Sequence, residues 1–306
     1  MKRFKKGLLI YNVQAGGKGT AEQVNIAVSI LSDYIEDLSE KMIVEAGGGE
    51  TICYEEGSQY DVIIILGGDG TVHECINGIA RLDTRPAVAI LPGGTCNDFA
   101  RSAYIPIPFE EACHFVGHGT IQSLDVGFIN ERYFGNFWGI GLIVDTSENI
   151  DGTKKEMLGR ISYYLSALET IRAPRAFHYT ITSGDETYTG EAVMIVALNG
   201  NFIGTNELPF KAELDDGKLE LVIVKEGGLA LIREYLNFRK VKETGEHLIE
   251  LEHLSVSSFT IETSSPMKMD MDGEVYMVTP GQCRVLPKHI QVVAGQSPVK
   301  VKEPGL

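Results

Sequence analysis

The stretch that most constrains this chain is Asp61–Thr71, which reads DVIIILGGDGT. Val62–Leu66 is apolar throughout, as expected of a parallel strand covered on both faces. It stops at Gly67-Gly68-Asp69-Gly70-Thr71, after which Val72, Ile76, Ile79 and Ala80 fit a helix. Ala87–Leu91 repeats the pattern and stops at Pro92-Gly93-Gly94-Thr95-Cys96-Asn97-Asp98-Phe99-Ala100. Upstream, Leu8–Tyr11 stops at Asn12–Gly19, before Val24, Ala27, Val28, Leu31 and Ile35 at helical spacing. Met42–Val44 reads as a further short strand, and Gly47-Gly48-Gly49 precedes a helix around Thr51–Glu56. Strand, glycine-rich turn and helix in succession are the βαβ logic of an α/β domain.

Around Ser123 the texture changes. Ser123–Ile129 and Arg132–Trp138 read as a hairpin turning at Asn130-Glu131. A helical stretch, Lys154–Ile171, is followed by strand-like segments at Phe177–Thr182, Thr187–Leu198, Lys218–Val224, Leu254–Glu262, Met267–Met271 and Glu274–Val278. A helix near Leu229–Arg239 interrupts them, so the second half is mostly β. With 306 residues, two domains are expected. The first spans 1–124, the second 125–286, and 296–306 is read as a frayed tail.

Charge and cysteine usage exclude several function classes. The 27 basic and 42 acidic residues give −15, which makes nucleic acid a poor partner. No apolar run approaches the ~20 residues of a membrane-spanning helix, and Leu8–Asn12 is too short for a signal peptide. Five scattered cysteines with no CxxC pair suit reduced thiols and a cytoplasmic location.

Glycine turns at the carboxyl ends of neighbouring parallel strands face the crevice where ligands bind in open α/β sheets. Their backbones approach a bulky anion closely, and the helices that follow offer unpaired N–H groups and a positive dipole end. Asp69 could hold a cation or its waters, and Thr71 a hydroxyl donor. For one such turn the plain alternative is a tight strand-to-helix connection with Asp69 as its cap. Two turns, each with an Asp and a Thr, favour a phosphate-bearing ligand.

Gly67–Thr71 with Glu74 and Asn77, and Gly94-Thr95-Cys96-Asn97-Asp98-Phe99-Ala100, resemble the signature of the diacylglycerol kinase catalytic domain. The nearest branch is the bacterial soluble lipid kinases of the YegS/BmrU type. Farther on, Ser123-Leu124-Asp125-Val126-Gly127, Leu214-Asp215-Asp216-Gly217 and Met271-Asp272-Gly273-Glu274 extend the likeness over nearly the whole chain. The resemblance implies an α/β domain and a β-sandwich domain of the NAD kinase/diacylglycerol kinase type with a cleft between them. It also implies that 287–295 returns to the first domain. ATP would be lined by Asn12, Gly16, Gly67, Gly68, Asp69, Gly70, Thr71, Glu74, Gly94, Thr95 and Asn97. Asp216, with backbone oxygens near Glu213 and Lys218, would hold a structural Mg²⁺. Asp69, Asp98, Asp125 and Asp215 would form a carboxylate and water network, with Glu274 as general base. Three positions depart from the family pattern: Val13 replaces a proline, Glu45 replaces a threonine, and His73 replaces an asparagine. These bear on nucleotide preference.

The bare residues give the second-half motifs a chemical reading. Asp270, Asp272 and Glu274 alternate, so an extended strand would place them on one face, where mutual repulsion raises the pKa of one toward a base's range. The alternative is the solvated face of an antiparallel strand, and Leu214–Gly217 alone reads as an exposed turn. Lys154–Arg175 carries Lys154, Lys155, Arg160, Arg172 and Arg175 against Glu156 and Glu169, beside Met157, Leu158, Ile161, Tyr164, Leu165 and Leu168 at helical spacing. It reads as an interfacial helix giving transient, peripheral contact with a membrane, or as an ordinary amphipathic helix packed on the second domain. His114 and His118 form an i,i+4 pair, but Gly117 and Gly119 argue against a regular metal-binding helix there, so both read as surface residues. The expected function is an ATP-dependent lipid kinase with a diacylglycerol-like acceptor. The alternatives are a kinase of the same fold acting on a sphingoid base or NAD, and a nucleotide-binding regulator without turnover. The sequence is silent on oligomeric state.

Overall fold

The computed structural model describes residues 2–12, 20–144, 175–208, 212–225 and 251–296. The chain divides into two compact units, Met1–Leu124 with Lys288–Leu306, and Asp125–Pro287. Gly16, the segment 154–174, the helix expected near 229–239 and the tail beyond Gln296 lie outside the described residues.

In the first unit the order is β1 (Phe4–Asn12), α1 (Thr20–Leu31), β2 (Ile35–Ile43), α2 (Gly48–Glu56), β3 (Val62–Gly67), α3 (Asp69–Ile79), β4 (Ala87–Pro92), α4 (Asp98–Ser102) and α5 (Phe109–His118). The strands lie in the order β2-β1-β3-β4, all parallel. Residues from 288 onward in the last strand of the chain add to β4, with Gln291 opposite Ala87 and Val292 opposite Val88. β3 and β4 are buried at every residue, which explains their unbroken apolar runs. β2 is the exception to the sequence reading. Its sequence IEDLSEKMI carries four charges, yet Ile35–Ile43 is extended rather than the end of a helix. As the sheet edge it buries only Ile35 and Ile43, so its pattern is that of a solvated strand.

The second unit is entered through β5 (Thr120–Ile129) and continues with β6 (Arg132–Phe134), β7 (Phe137–Gly141), β8 (Phe177–Ser183), β9 (Glu186–Ala192), β10 (Met194–Leu198), β11 (Phe202–Ile203) and β12 (Asn206–Glu207). It is completed by β13 (Leu219–Val224), β14 (Leu251–Val256), β15 (Ser258–Thr263), β16 (Lys268–Met271), β17 (Glu274–Val278) and β18 (Gly281–Ala294). One antiparallel sheet runs β14-β13-β10-β7-β16-β17. The other contains β18-β15-β8-β9, with β5 beside β18 and β6 beside β5. Trp138, Ile140, Ile195, Leu221, Met269 and Met271 from the first sheet pack against Phe134, Tyr179, Ile181, Phe259 and Ile261 from the second, forming a sandwich core.

Three stretches that read as single strands are pairs. Arg132–Trp138 breaks at Gly135-Asn136 into β6 and β7. Thr187–Leu198 breaks at Val193 into β9 and β10, and Leu254–Glu262 breaks at Ser257 into β14 and β15. Each break moves the chain from one sheet to the other, and apolar alternation continues across such corners without a mark. The Asn130-Glu131 turn is as expected, with both residues at positive φ (43° and 73°) in a two-residue hairpin. All five cysteines are buried, and none is in a disulfide. No helix among the described residues is long and apolar enough to cross a membrane.

Candidate active site

The two glycine turns of the first unit touch backbone to backbone. A Cβ on Gly94 would lie 2.5 Å from the Gly68 Cα, and one on Gly68 would lie 3.2 Å from the Gly94 Cα. Gly67 is equally crowded, with Thr71 Cβ 2.6 Å from where its own Cβ would stand. Gly68 caps the helix that begins at Asp69 and contains Gly70 and the buried Thr71. Asp69 then ties the turns together: Oδ2 accepts the Asn97 N–H at 2.9 Å and Oδ1 the Asp98 N–H at 2.7 Å. Asn97, in the left-handed region at φ 53°, closes its own turn by accepting from Gly94 N at 3.0 Å and donating to Gly94 O at 2.7 Å. Thr95 is exposed at the tip, while Asp98 and Cys96 are buried. Ligating atoms of Asp69, Cys96 and Asp98 all lie within 4.8 Å of one another.

Glu74 has a partner the sequence did not suggest. Its Oε1 accepts from Gly47 N at 2.9 Å and its Oε2 from Gly49 N at 3.0 Å, so the carboxylate pins the turn that starts α2. His73 is buried and sits 3.2 Å from the Asn77 amide one turn along, and so belongs to the packed face of α3. Asn12 ends β1 opposite Ile43, and Glu45 is exposed.

In the second unit Asp125 is fully buried on β5. Its N–H donates to Leu214 O at 2.6 Å, and its Oδ2 accepts from Gly217 N at 2.6 Å. The Leu214–Gly217 loop is thereby held against β5. Asp215 and Asp216 form its turn, Gly217 takes φ 74°, and Asp216 Oδ1 accepts from Lys218 N at 2.9 Å. The Asp216 pKa is raised, first by partial burial and then by the charges of Glu220, Asp125 and Glu213, against the lowering effect of the Lys218 N–H. Carboxylates gathered on an oxygen-rich loop, one of them held above its ordinary pKa, fit a hard cation such as Mg²⁺.

The alternation at 270–274 has a different meaning from the one the sequence suggests. β16 and β17 are antiparallel neighbours joined through Asp272 (φ 54°) and Gly273 (φ 94°), so Asp270, Asp272 and Glu274 do not share one strand face. Asp270 is fully buried and accepts from Gly273 N at 2.7 Å. Asp272 accepts from Gly135 N on one oxygen at 2.8 Å, and from Asn136 N and Phe137 N on the other, both at 2.9 Å. Glu274 is the first residue of β17, immediately beyond this anchored turn.

Asn199 completes the framework. Fully buried at the end of β10, its Nδ2 donates to Asp125 O at 3.0 Å and to Gly135 O at 2.7 Å, while its Oδ1 has no partner among the described residues. It links the strand carrying Asp125 to the loop that anchors Asp272. The only trace of it in the sequence is an Asn-Gly ending an apolar strand. Glu220, buried in β13, is held by Ser255 Oγ at 2.8 Å and by His253 Nε2.

Comparison with known proteins sets this arrangement in a family. Residues 6–129 match the diacylglycerol kinase catalytic domain, and residues 140–294 match the YegS C-terminal NAD kinase beta sandwich-like domain. A Staphylococcus carnosus protein named "Putative lipid kinase" is 31% identical over 95% of this chain and 97% of its own length. A Bacillus anthracis crystal structure titled as a diacylglycerol kinase is 36% identical, with a TM-score of 0.82 over 98% of this chain and all of that one (100%). Another from the same organism, titled "a putative diacylglycerol kinase", reaches a TM-score of 0.84 at 34% identity, over 98% of this chain and 99% of that one. The chain belongs to the diacylglycerol kinase catalytic-domain family, in its YegS-type branch. Its class is that of the lipid kinases, phosphotransferases with an alcohol group as acceptor.

Proposed function

We propose that the protein transfers the γ-phosphoryl group of ATP to the hydroxyl of a diacylglycerol-like lipid, with Mg²⁺. The observation that carries the nucleotide assignment is the contact of Gly68 with Gly94, clamped by Asp69. Two bare backbone turns and the N-terminus of α3 make a surface that admits phosphate oxygens and excludes side chains. Gly67, Gly68, Gly70, Thr71, Gly94, Thr95 and Asn97 supply this surface, with Asn12 at the neighbouring strand end. The Glu74 carboxylate acts one step back, by fixing the start of α2.

Phosphoryl transfer asks a protein mainly for positioning and charge neutralisation, with a base for the acceptor's proton. Glu274 takes that proton as the lipid oxygen attacks the γ-phosphorus in line and ADP departs. Asp272 holds the Glu274 turn in place through three backbone donors, and Asn199 holds the partner loop. Asp69, Asp98, Asp125 and Asp215 order water and charge around the transfer. Asp216, with the loop at Glu213 and Lys218, would hold Mg²⁺, which when bound supplies the positive charge that these carboxylates collectively lack. Lys154–Arg175, of which all but Arg175 lies outside the described residues, is proposed from its sequence as the contact with the membrane surface.

The test is transfer of labelled γ-phosphate in mixed micelles containing diacylglycerol, monoacylglycerol, ceramide, sphingosine or phosphatidylglycerol, with NAD as a soluble control. Label on a glycerolipid that vanishes in Glu274→Gln supports the reading. Label on NAD alone moves the protein to NAD kinase chemistry. Nucleotide binding without label on any acceptor makes it a regulator.

A further inference from the structure

α5 is regular through His118, Gly117 included, so His114 and His118 stand one turn apart on one helix face. Ring nitrogens of both converge on a single oxygen. The Tyr34 hydroxyl lies 3.1 Å from His114 Nδ1 and 3.3 Å from His118 Nε2. The phenol meets the two imidazoles edge-on, at interplanar angles of 85° and 79°. Gly117 is what admits it: a Cβ there would stand 2.3 Å from Tyr34 Cδ1 and Cε1. The glycine that argues against a site in the sequence is the notch that builds one.

The spacing matches metal coordination. Bonds of about 2.0–2.1 Å to a tetrahedral zinc ion place neighbouring ligand atoms about 3.3 Å apart. Two edges of such a tetrahedron are present already, at 3.1 and 3.3 Å. Two imidazoles and a phenol are a donor set for Zn²⁺, Cu²⁺ or Ni²⁺ rather than Mg²⁺. Both histidines are exposed, which gives an ion a way in and leaves a position for water. Glu110, also exposed, lies one turn before His114 on the same row and adds negative charge. Opposing it, the Arg3 guanidinium donates to Val116 O at 2.9 Å and Gly119 O at 2.7 Å, capping the end of α5.

We propose that Tyr34, His114 and His118 form a binding site for one divalent transition-metal ion of the zinc type. His114 Nδ1 and His118 Nε2 give their lone pairs, and Tyr34 binds as phenolate. One proton leaves per ion. It is the hydroxyl proton, while the ring that had donated to the phenol shifts its own proton to its other nitrogen. The ion joins α5 to the α1–β2 connection, so occupancy raises thermal stability. This site is independent of the kinase reading.

The test is calorimetric titration of the full chain with Zn²⁺ under excess Mg²⁺, in buffers of different ionisation enthalpy, with Co²⁺ absorption as a second probe. The expected result is one ion per chain, release of one proton and a raised melting temperature. His114→Ala and His118→Ala each weaken binding at least about tenfold, without changing the metal-free melting temperature. Tyr34→Phe retains weakened binding and loses the proton release. No binding at about 0.1 mM Zn²⁺, or equal binding by wild type and both histidine variants, overturns the proposal. Binding lost in Cys96→Ser but kept in the histidine variants overturns it equally, and puts the ion at Asp69, Cys96 and Asp98.

Discussion

Asp272 takes three backbone N–H groups while itself in the left-handed region, and its replacement shows how far one carboxylate organises its surroundings. Hydrogen bonds to a charged acceptor contribute about 1.5–3 kcal/mol each, and buried donors left unmatched cost more than the mean bond. Asp272→Ala is expected to destabilise the protein by about 3 kcal/mol or more in urea unfolding, with Asp272→Asn losing less. Glu274→Gln, by contrast, should leave the unfolding midpoint unchanged and remove turnover. If the two variants behave alike in both measurements, Asp272 is not the anchor. The three acidic residues at 270–274 were plain in the sequence, but their roles were not. Asp-Gly at 272–273 is itself a hairpin signal, and the positive φ of both residues turns the chain where alternation suggested it ran straight. His289 gives a second prediction at this scale. Burial lowers its pKa, as does Arg85, against a raising hydrogen bond to Ala80 O at 2.9 Å. The unfolded chain therefore binds the proton more readily, so stability is complete above about pH 6.5 and declines as pH falls below it. Unfolding free energies measured from pH 8 to 5 should show this slope in wild type and lose part of it in His289→Gln.

Among the elements, the βα units of the first unit were the most legible, because buried parallel strands are written as continuous apolar runs ending in glycine. The sandwich was not. Its strands were visible, but which sheet each joined depends on corners at Gly135, Val193 and Ser257 that leave the apolar pattern intact. The glycine turns carry the prediction that belongs here. Gly94→Ala would set a methyl group 2.5 Å from the Gly68 Cα, where only backbone can yield. Parting the turns breaks the Asp69 bonds to Asn97 and Asp98, so nucleotide affinity should fall at least about tenfold, a loss of about 1.4 kcal/mol in equilibrium titration. Gly47→Ala tests a different element: nothing stands within 4 Å of its Cβ, yet its φ of 79° strains any side chain. It should cost about 1 kcal/mol of stability without altering nucleotide affinity, which separates backbone strain from loss of the phosphate surface. Equal affinities in Gly94→Ala and wild type would mean that the contact between the turns is structural only.

At the level of the whole molecule, a net charge of −15 opposes approach to an anionic membrane surface, where the proposed lipid acceptor would have to be met. Two forces then compete, and their salt dependence has opposite sign. If the overall charge governs the encounter, screening over a Debye length of ~8–10 Å should increase binding to anionic vesicles as salt rises. If a local basic segment governs it, the same screening should reduce binding. The five basic residues of Lys154–Arg175, which outnumber Glu156 and Glu169 and are interleaved with apolar ones, favour the second outcome, because a segment within a Debye length of the surface feels the lipid charge before the rest of the protein does. Sedimentation with phosphatidylglycerol vesicles should therefore show binding that falls from low to physiological salt. Exchanging Lys154, Lys155 and Arg160 for Glu should abolish most of it at low salt, while transfer to a short-chain, water-soluble diacylglycerol stays at the wild-type rate. Binding that rises with salt, or that survives the triple exchange, would assign membrane contact to another surface and leave the phosphoryl-transfer chemistry as argued.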